Sequence, residues 1–242
     1  MIIFDFFSGT GSSTEGFREA GDTVYSFELD PFFEATENVD IMQLTPEYLL
    51  SKYGRPDFIW ASPPCTAFSV ASIGRHWQVT PTGPEPKTEA ARYNQDIVRH
   101  TRYLIESLNP RLGFLIENPR GMLRKLNPVE GLDRVTITYC QYGDTRQKPT
   151  DLWGQVPNWN PRPLCQPGAD CHEAAPRGSR TGTQGLKNAK ERSRIAPELS
   201  RELRVALTDR IEAGQELSTL DPQTDSRGVG RVNSATQDRQ KQ

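Results

Sequence analysis

Apolar residues in the first 140 positions fall into short runs bounded by turn residues, alternating with longer stretches of helical period. Ile2 to Phe6 predicts a buried strand that ends in the small-residue turn Ser8-Gly9-Thr10-Gly11-Ser12-Ser13. A helix over Thr14 to Ala20 follows, stopped by Gly21, and then a second strand over Thr23 to Glu28, rich in β-branched and aromatic residues. Pro46 to Lys52 reads as a short helix and Asp57 to Ala61 as a third strand. Thr88 to Leu108 is a long helix with Ala91, Ile97, Leu104, Ile105 and Leu108 on or near one face. Leu112 to Glu117 and Val135 to Cys140 are further strands. Strands alternating with helices imply an α/β fold with a mostly parallel sheet and helices on both faces.

Two stretches break this rhythm. Pro63 to Pro86 is a long connection dense in Pro, Gly, Ser and Thr, and connections of that length are usually functional or disordered. After Gly154 the chain turns irregular, with Pro, Gly, Arg and Asn over 155–188, before Pro197 to Ala213 returns to helical spacing through Leu199, Leu203, Leu207 and Ile211. The expected division is a domain over 1–154, a small irregular segment plus helix over 155–213, and a disordered tail over 214–242. Hydrophobic residues make up 35% of the 242, low enough to agree with an unpacked portion. The formal net charge is −2, so any nucleic acid must be held by a local basic patch. No run is long enough to span a bilayer, and four sparse cysteines do not resemble a disulfide framework, so an intracellular protein with reduced thiols is expected.

Three strand ends carry chemistry. Phe7, Gly9 and Gly11 sit in the first turn, where glycines let backbone approach a ligand and the next helix offers free N–H groups. An ordinary tight strand-to-helix turn has the same look, but Glu28 closes the second strand, where an acid can hold ribose hydroxyls. Ala61-Ser62-Pro63-Pro64-Cys65 ends the third strand, and two prolines fix the backbone ahead of a lone thiol, which suits a rigidly aimed nucleophile better than a core cysteine. Glu117-Asn118-Pro119 ends the fourth. An acid carried there by an apolar strand is suited to proton transfer, although Glu117 would also suit the start of a helix opened by Pro119.

In this order, the glycine turn, the acid after the second strand, the PPC loop and the EN dipeptide resemble the DNA cytosine-5 methyltransferase family over Ile2 to Gly154. The resemblance implies a Rossmann-like fold dependent on S-adenosylmethionine. Phe7, Gly9, Gly11, Glu28, Asp40, Ile41 and Pro63 would hold that cofactor, Cys65 would be the nucleophile, and Glu117 would protonate the base. It also matches Tyr142 to Lys148 to a motif whose basic residues orient the cytosine, which makes Arg146 a third catalytic candidate, with Lys148 and Thr150 in the same register. Double-stranded DNA is the expected partner, its target base flipped into the site under a lid formed by the Cys65 connection. RNA methylation and a non-catalytic cofactor- or DNA-binding role are the alternatives.

The chain is shorter than typical members, which carry a separate recognition domain. Recognition is therefore rudimentary, borrowed from a protein partner, or built from 155–195, where Arg162, Arg177, Arg180, Lys187, Lys190, Arg192 and Arg194 could meet phosphates or simply solvate a loop. Cys165, Cys171 and His172, with Cys140, offer zinc-ligand chemistry. Their spacing fits no standard pattern, and adjacent Cys171 and His172 would have trouble reaching one ion, so no metal is expected.

Overall fold

The computed structural model describes residues 1–166, 168–174 and 188–212. Nine strands and six α-helices occur among them. They are β1 (Ile2–Phe6), α1 (Glu15–Glu19), β2 (Thr23–Glu28), β3 (Glu37–Asn38), α2 (Pro46–Tyr53), β4 (Phe58–Ala61), α3 (Ile73–His76), β5 (Trp77–Thr80), β6 (Gly83–Pro86), α4 (Glu89–Leu108), β7 (Gly113–Pro119), β8 (Arg134–Thr138), β9 (Pro149–Gln155), α5 (Ala189–Ser193) and α6 (Pro197–Glu212). Seven strands make one sheet in the order β3-β2-β1-β4-β7-β9-β8, while β5 and β6 pair as a separate hairpin. Pairing is parallel from β3 to β7, and β9 alone runs against its neighbours.

Period-2 alternation divides the sheet's side chains between two cores. Phe4, Phe6, Ile59, Ala61 and Ile116 join one with Leu49 of α2 and Val98, Leu104 and Leu108 of α4. Ile3, Phe58, Trp60, Leu115 and Ile137 join the other with Phe17 of α1 and Leu199, Leu203 and Leu207 of α6. Both faces are thus covered, as the alternating pattern implied. The long helix α4 starts at Glu89, one residue after the expected start, with Thr88 as the N-cap that accepts the backbone N–H of Ala91.

Several elements differ from the sequence reading, the β5–β6 hairpin inside the Pro63 to Pro86 connection among them. Pro149–Gln155 is a strand although it opens with proline and carries Gly154. Proline's missing N–H is tolerated at a strand's first residue. The division after Gly154 does not hold in the packing, because α6 completes the second core and lies on α1. A Cβ on Gly16 would lie 2.6 Å from the backbone nitrogen of Arg201, so only glycine permits this contact. Gly16 also donates its N–H to Ser200 Oγ at 3.0 Å. The expected tail over 214–242, and Arg177, Arg180 and Lys187, lie outside the described residues.

Candidate active site

The first turn is stitched to β2 by its backbone. Phe7 and Ser8 both donate to the carbonyl of Phe27, at 2.9 and 3.2 Å, and Gly9 donates to Glu28 Oε2 at 2.8 Å. Phe7, Gly9 and Gly11 all have positive φ, of 63°, 47° and 72°, so the loop is wound tightly over the carboxyl end of β1. Beneath it Asp5 is fully buried and accepts from Ser13 and Thr14 hydroxyls. Burial raises its pKa to about 6, against the lowering effect of those two hydroxyls. Val39 donates to the carbonyl of Glu28, which brings Asp40 up to the same end of the sheet. Asp40 there accepts from Met42 N–H and Tyr93 Oη, and Ile41 is buried in the core.

The residues expected to hold a cofactor therefore gather at the carboxyl ends of β1, β2 and β4, with Ser62 N–H donating to Phe6 O at 3.1 Å to bring Pro63 alongside. Ser8 Oγ, buried in the turn, has no partner among the described residues. A backbone turn with an unclaimed hydroxyl, flanked by a carboxylate, fits an adenosyl group carrying an amino acid tail. A cavity of about 1080 Å³ opens beside the turn, with Gly9, Gly11, Ser26, Phe33, Lys190 and Arg194 on its walls.

Beyond β4 the chain turns sharply at Cys65, whose carbonyl accepts the N–H groups of Phe68 and Ser69, both at 3.0 Å. Asn118 is fully buried and donates from Nδ2 to Pro63 O at 2.9 Å, so the EN dipeptide clamps the PPC loop. Asn94 of α4 adds a contact to Thr66 at 3.3 Å. Glu117 is 5% exposed and accepts from Tyr139 Oη at 2.9 Å. Burial and the Glu117 carboxylate push the Tyr139 phenol well above its ordinary pKa, so it remains a donor. Lys148 Nζ lies 3.9 Å from Glu117 Oε1 and 4.4 Å from the Tyr139 ring centre. Its own pKa is lowered by burial, with Glu117 opposing. Burial and then Glu117 raise the Cys65 thiol, while Lys148 pulls it down. The thiol thus lies within electrostatic reach of a carboxylate and an ammonium that face each other.

Arg146 lies at the edge of that group, its guanidinium 5.7 Å from the Tyr139 ring centre, but its donors are used elsewhere. It is 4% exposed, grips Asp144 through several short hydrogen bonds, and donates to the carbonyls of Glu191, Arg192 and Arg194. A guanidinium already bound to a carboxylate and three carbonyls has no donor left for a base. Lys148, two residues on, faces Glu117 instead, so the cation beside the pair is the second member of the expected register. The sequence reading missed Tyr139, because a tyrosine at a strand end carries no motif of its own.

The connection from Pro63 to Pro86 is better ordered than its composition suggests. Trp77 is buried, stacks on Phe68 and donates to Ala67 O at 2.7 Å, which anchors the β5–β6 hairpin to the Cys65 turn. His76 contacts Thr88 Oγ1 at 2.7 Å. Among the candidate phosphate-binding residues, Arg162 is committed to Glu198 and Glu202, at 2.6 and 2.8 Å. Adjacent Cys171 and His172, expected to have trouble reaching one ion, do converge: their ligand atoms, with those of Cys140 and Cys165, all lie within 4.8 Å of one another. Both sit in a turn, where successive side chains need not diverge as they do along a strand. Among the described residues no helix is long and apolar enough to cross a membrane.

A parallel sheet with one reversed strand near its edge, and a nucleoside-type turn after its first strand, places the chain among the Rossmann-like methyltransferases that use S-adenosylmethionine. Within that class it belongs to the C-5 cytosine-specific DNA methylases, whose family pattern matches residues 1–135. A frog virus 3 (isolate Goorha) protein named "Probable DNA (cytosine-5)-methyltransferase" is 28% identical over 171 residues, covering 67% of this chain and 74% of that protein. Among solved structures, Entamoeba histolytica methyltransferase EhMeth matches 68% of this chain and 56% of its own, at 12% identity and a TM-score of 0.48. S. pombe Dnmt2 methyltransferase matches 67% and 51%, at 13% identity and a TM-score of 0.45. The chain spans about half the length of those two structures.

Proposed function

We propose that the protein methylates carbon 5 of cytosine in double-stranded DNA through a covalent adduct on Cys65. The observation that carries this reading is the convergence of Cys65, Glu117 and Lys148, with Asn118 clamping the PPC loop onto β7. Carbon 5 is too electron-poor to take up a methyl group unaided. Addition of the Cys65 thiolate to carbon 6, with a proton delivered to N3 from Glu117, turns it into an enamine carbon. S-adenosylmethionine, when bound, supplies an electrophilic methyl group. Loss of the carbon-5 proton and departure of the thiolate then restore the aromatic ring.

Lys148 has two tasks in this scheme. It favours the thiolate of Cys65, and it offers a cation to the base carbonyl beside Glu117. Tyr139 holds the Glu117 carboxyl in place. The reacting face is inaccessible in a duplex, so the base must be turned out into the site. Recognition of DNA sequence falls to the segment after β9 or to a protein partner, and the restriction-modification setting belongs to the same proposal.

Methylation-aware sequencing of DNA from cells expressing the chain tests this directly, with Cys65→Ala alongside. Cytosine-5 methylation with the wild type and none with the variant is expected. Undiminished methylation by Cys65→Ala would overturn the covalent route. Labelled transfer to transfer RNA but not to duplex DNA would overturn the substrate.

A further inference from the structure

We propose that Cys140, Cys165, Cys171 and His172 bind one zinc ion, which clips the segment after β9 to the carboxyl end of β8. Cys165 Sγ lies 3.1 Å from Cys171 Sγ and 3.2 Å from His172 Nδ1. Cys171 Sγ lies 3.6 Å from Cys140 Sγ and 3.8 Å from His172 Nδ1. A tetrahedral zinc site with Zn–S of about 2.3 Å and Zn–N of about 2.0 Å has ligand-to-ligand edges of roughly 3.5–3.8 Å. Four of the six edges are therefore close to such a tetrahedron, those to Cys165 slightly short, and the two remaining edges from Cys140 stay within 4.8 Å. All four cysteines of the chain are free thiols, and 3.1 Å is far beyond a disulfide bond of about 2.05 Å.

Simple packing does not account for the arrangement. Three sulfurs with an imidazole nitrogen among them form a soft donor set that selects zinc over the oxygen-seeking cations. With four protein ligands the site has no open position, so the ion is structural. Surrounding hydrogen bonds orient the ligands as an outer shell does. Gln141 Nε2 donates to Cys171 Sγ at 3.3 Å, Cys165 N–H donates to Thr138 Oγ1 at 2.9 Å, and Gln147 Nε2 donates to Cys165 O at 3.4 Å. Glu173 N–H donates to Thr145 O at 2.9 Å on the far side. Binding exchanges three thiol protons, released to solvent, for one divalent ion. His172 binds neutral, through Nδ1.

The location gives the ion a purpose. Cys140 follows Tyr139, the donor to Glu117, and Gln147 precedes Lys148. Fixing Cys140 fixes the turn that carries both partners of the carboxylate. It also anchors a stretch of chain that buries little apolar surface of its own.

The full chain, expressed with zinc in the medium and purified under reducing conditions without chelator, is assayed for metal by mass spectrometry. One zinc per chain is expected. Cys171→Ser and His172→Ala, both away from the buried core, should lose it while keeping the wild-type circular dichroism. Replacement by cobalt(II) should give thiolate-to-metal charge-transfer absorption and tetrahedral ligand-field bands. Absence of zinc from the wild type, equal zinc in both variants, or a Cys165–Cys171 disulfide in freshly purified protein would each overturn the proposal. Methyl transfer is not the readout, so these outcomes are independent of the proposed activity.

Discussion

The cofactor turn and the catalytic pocket lie side by side on one sheet, yet they are built by opposite means. The turn is local: residues 5 to 14 and the end of β2 make it, largely through backbone N–H groups donating to Phe27 O and Glu28. The pocket is assembled from residues 63–65, 117–118, 139 and 148, and buried side-chain charges hold it. Arg146 joins the two, since its guanidinium holds the carbonyls of 191, 192 and 194, and Ile195 N–H then donates to Ser12 in the turn at 2.9 Å. Backbone geometry tolerates side-chain substitution, whereas a buried charge cluster does not. Substitutions should therefore separate the regions.

Arg146→Met should have the largest effect, because it leaves the half-buried Asp144 without its cation and frees three backbone carbonyls. Loss of about 3–5 kcal/mol of stability is expected in urea unfolding, with weaker cofactor binding as the turn loses its brace. A variant of wild-type stability that lost only base binding would return Arg146 to the catalytic role. Leu203→Ala should cost about 2–5 kcal/mol by opening a cavity between α6 and the sheet. Calorimetry on that variant tests whether α6 belongs to the catalytic domain. Lys148→Met removes the cation facing Glu117 and should lower kcat about 10²–10³-fold, as loss of one preorganised electrostatic partner typically does. Tyr139→Phe removes one donor to a carboxylate, and a loss of about 10-fold in kcat is expected.

The smallest effect concerns pH. Burial and Glu117 raise the Cys65 thiol, so its alkylation by iodoacetamide should still be rising with pH above the ordinary cysteine range. Glu117→Gln removes the repelling charge and should move the profile to lower pH. Lys148→Met removes the attracting one and should move it higher. Profiles that did not separate would mean the three groups are not electrostatically coupled.

The difference between the regions also explains what could be read in the sequence. Phe7, Gly9, Gly11 and Glu28 are legible because the turn's geometry is encoded within a short window, and Cys65 and Glu117 because each ends an apolar strand. Arg146 and Lys148 were not distinguishable, since both are basic and two residues apart. Only the Lys148 φ of 27° and the Asp144 pairing send one towards Glu117 and the other towards α5. The membership of α6 in the core was hidden because its partners, Phe17 and Gly16, lie near the other end of the described chain. The cysteine–histidine cluster was hidden because its ligands are spaced by a fold and not by a motif.

The contact of Gly16 with Ser200 and Arg201 sets a timetable for synthesis. Loop closure across more than 180 residues is slow, and contacts of such separation form late. The glycine turn leaves the ribosome well before the helix that backs it, which contacts α1 across a separation of 184 residues. Until then the apolar face of α1 and the outer side of β1 and β4, with Phe17, Phe58 and Trp60, stay open to water. A nascent chain shorn of α6 would carry the glycine turn, the PPC loop and the EN dipeptide and still be a client for chaperones.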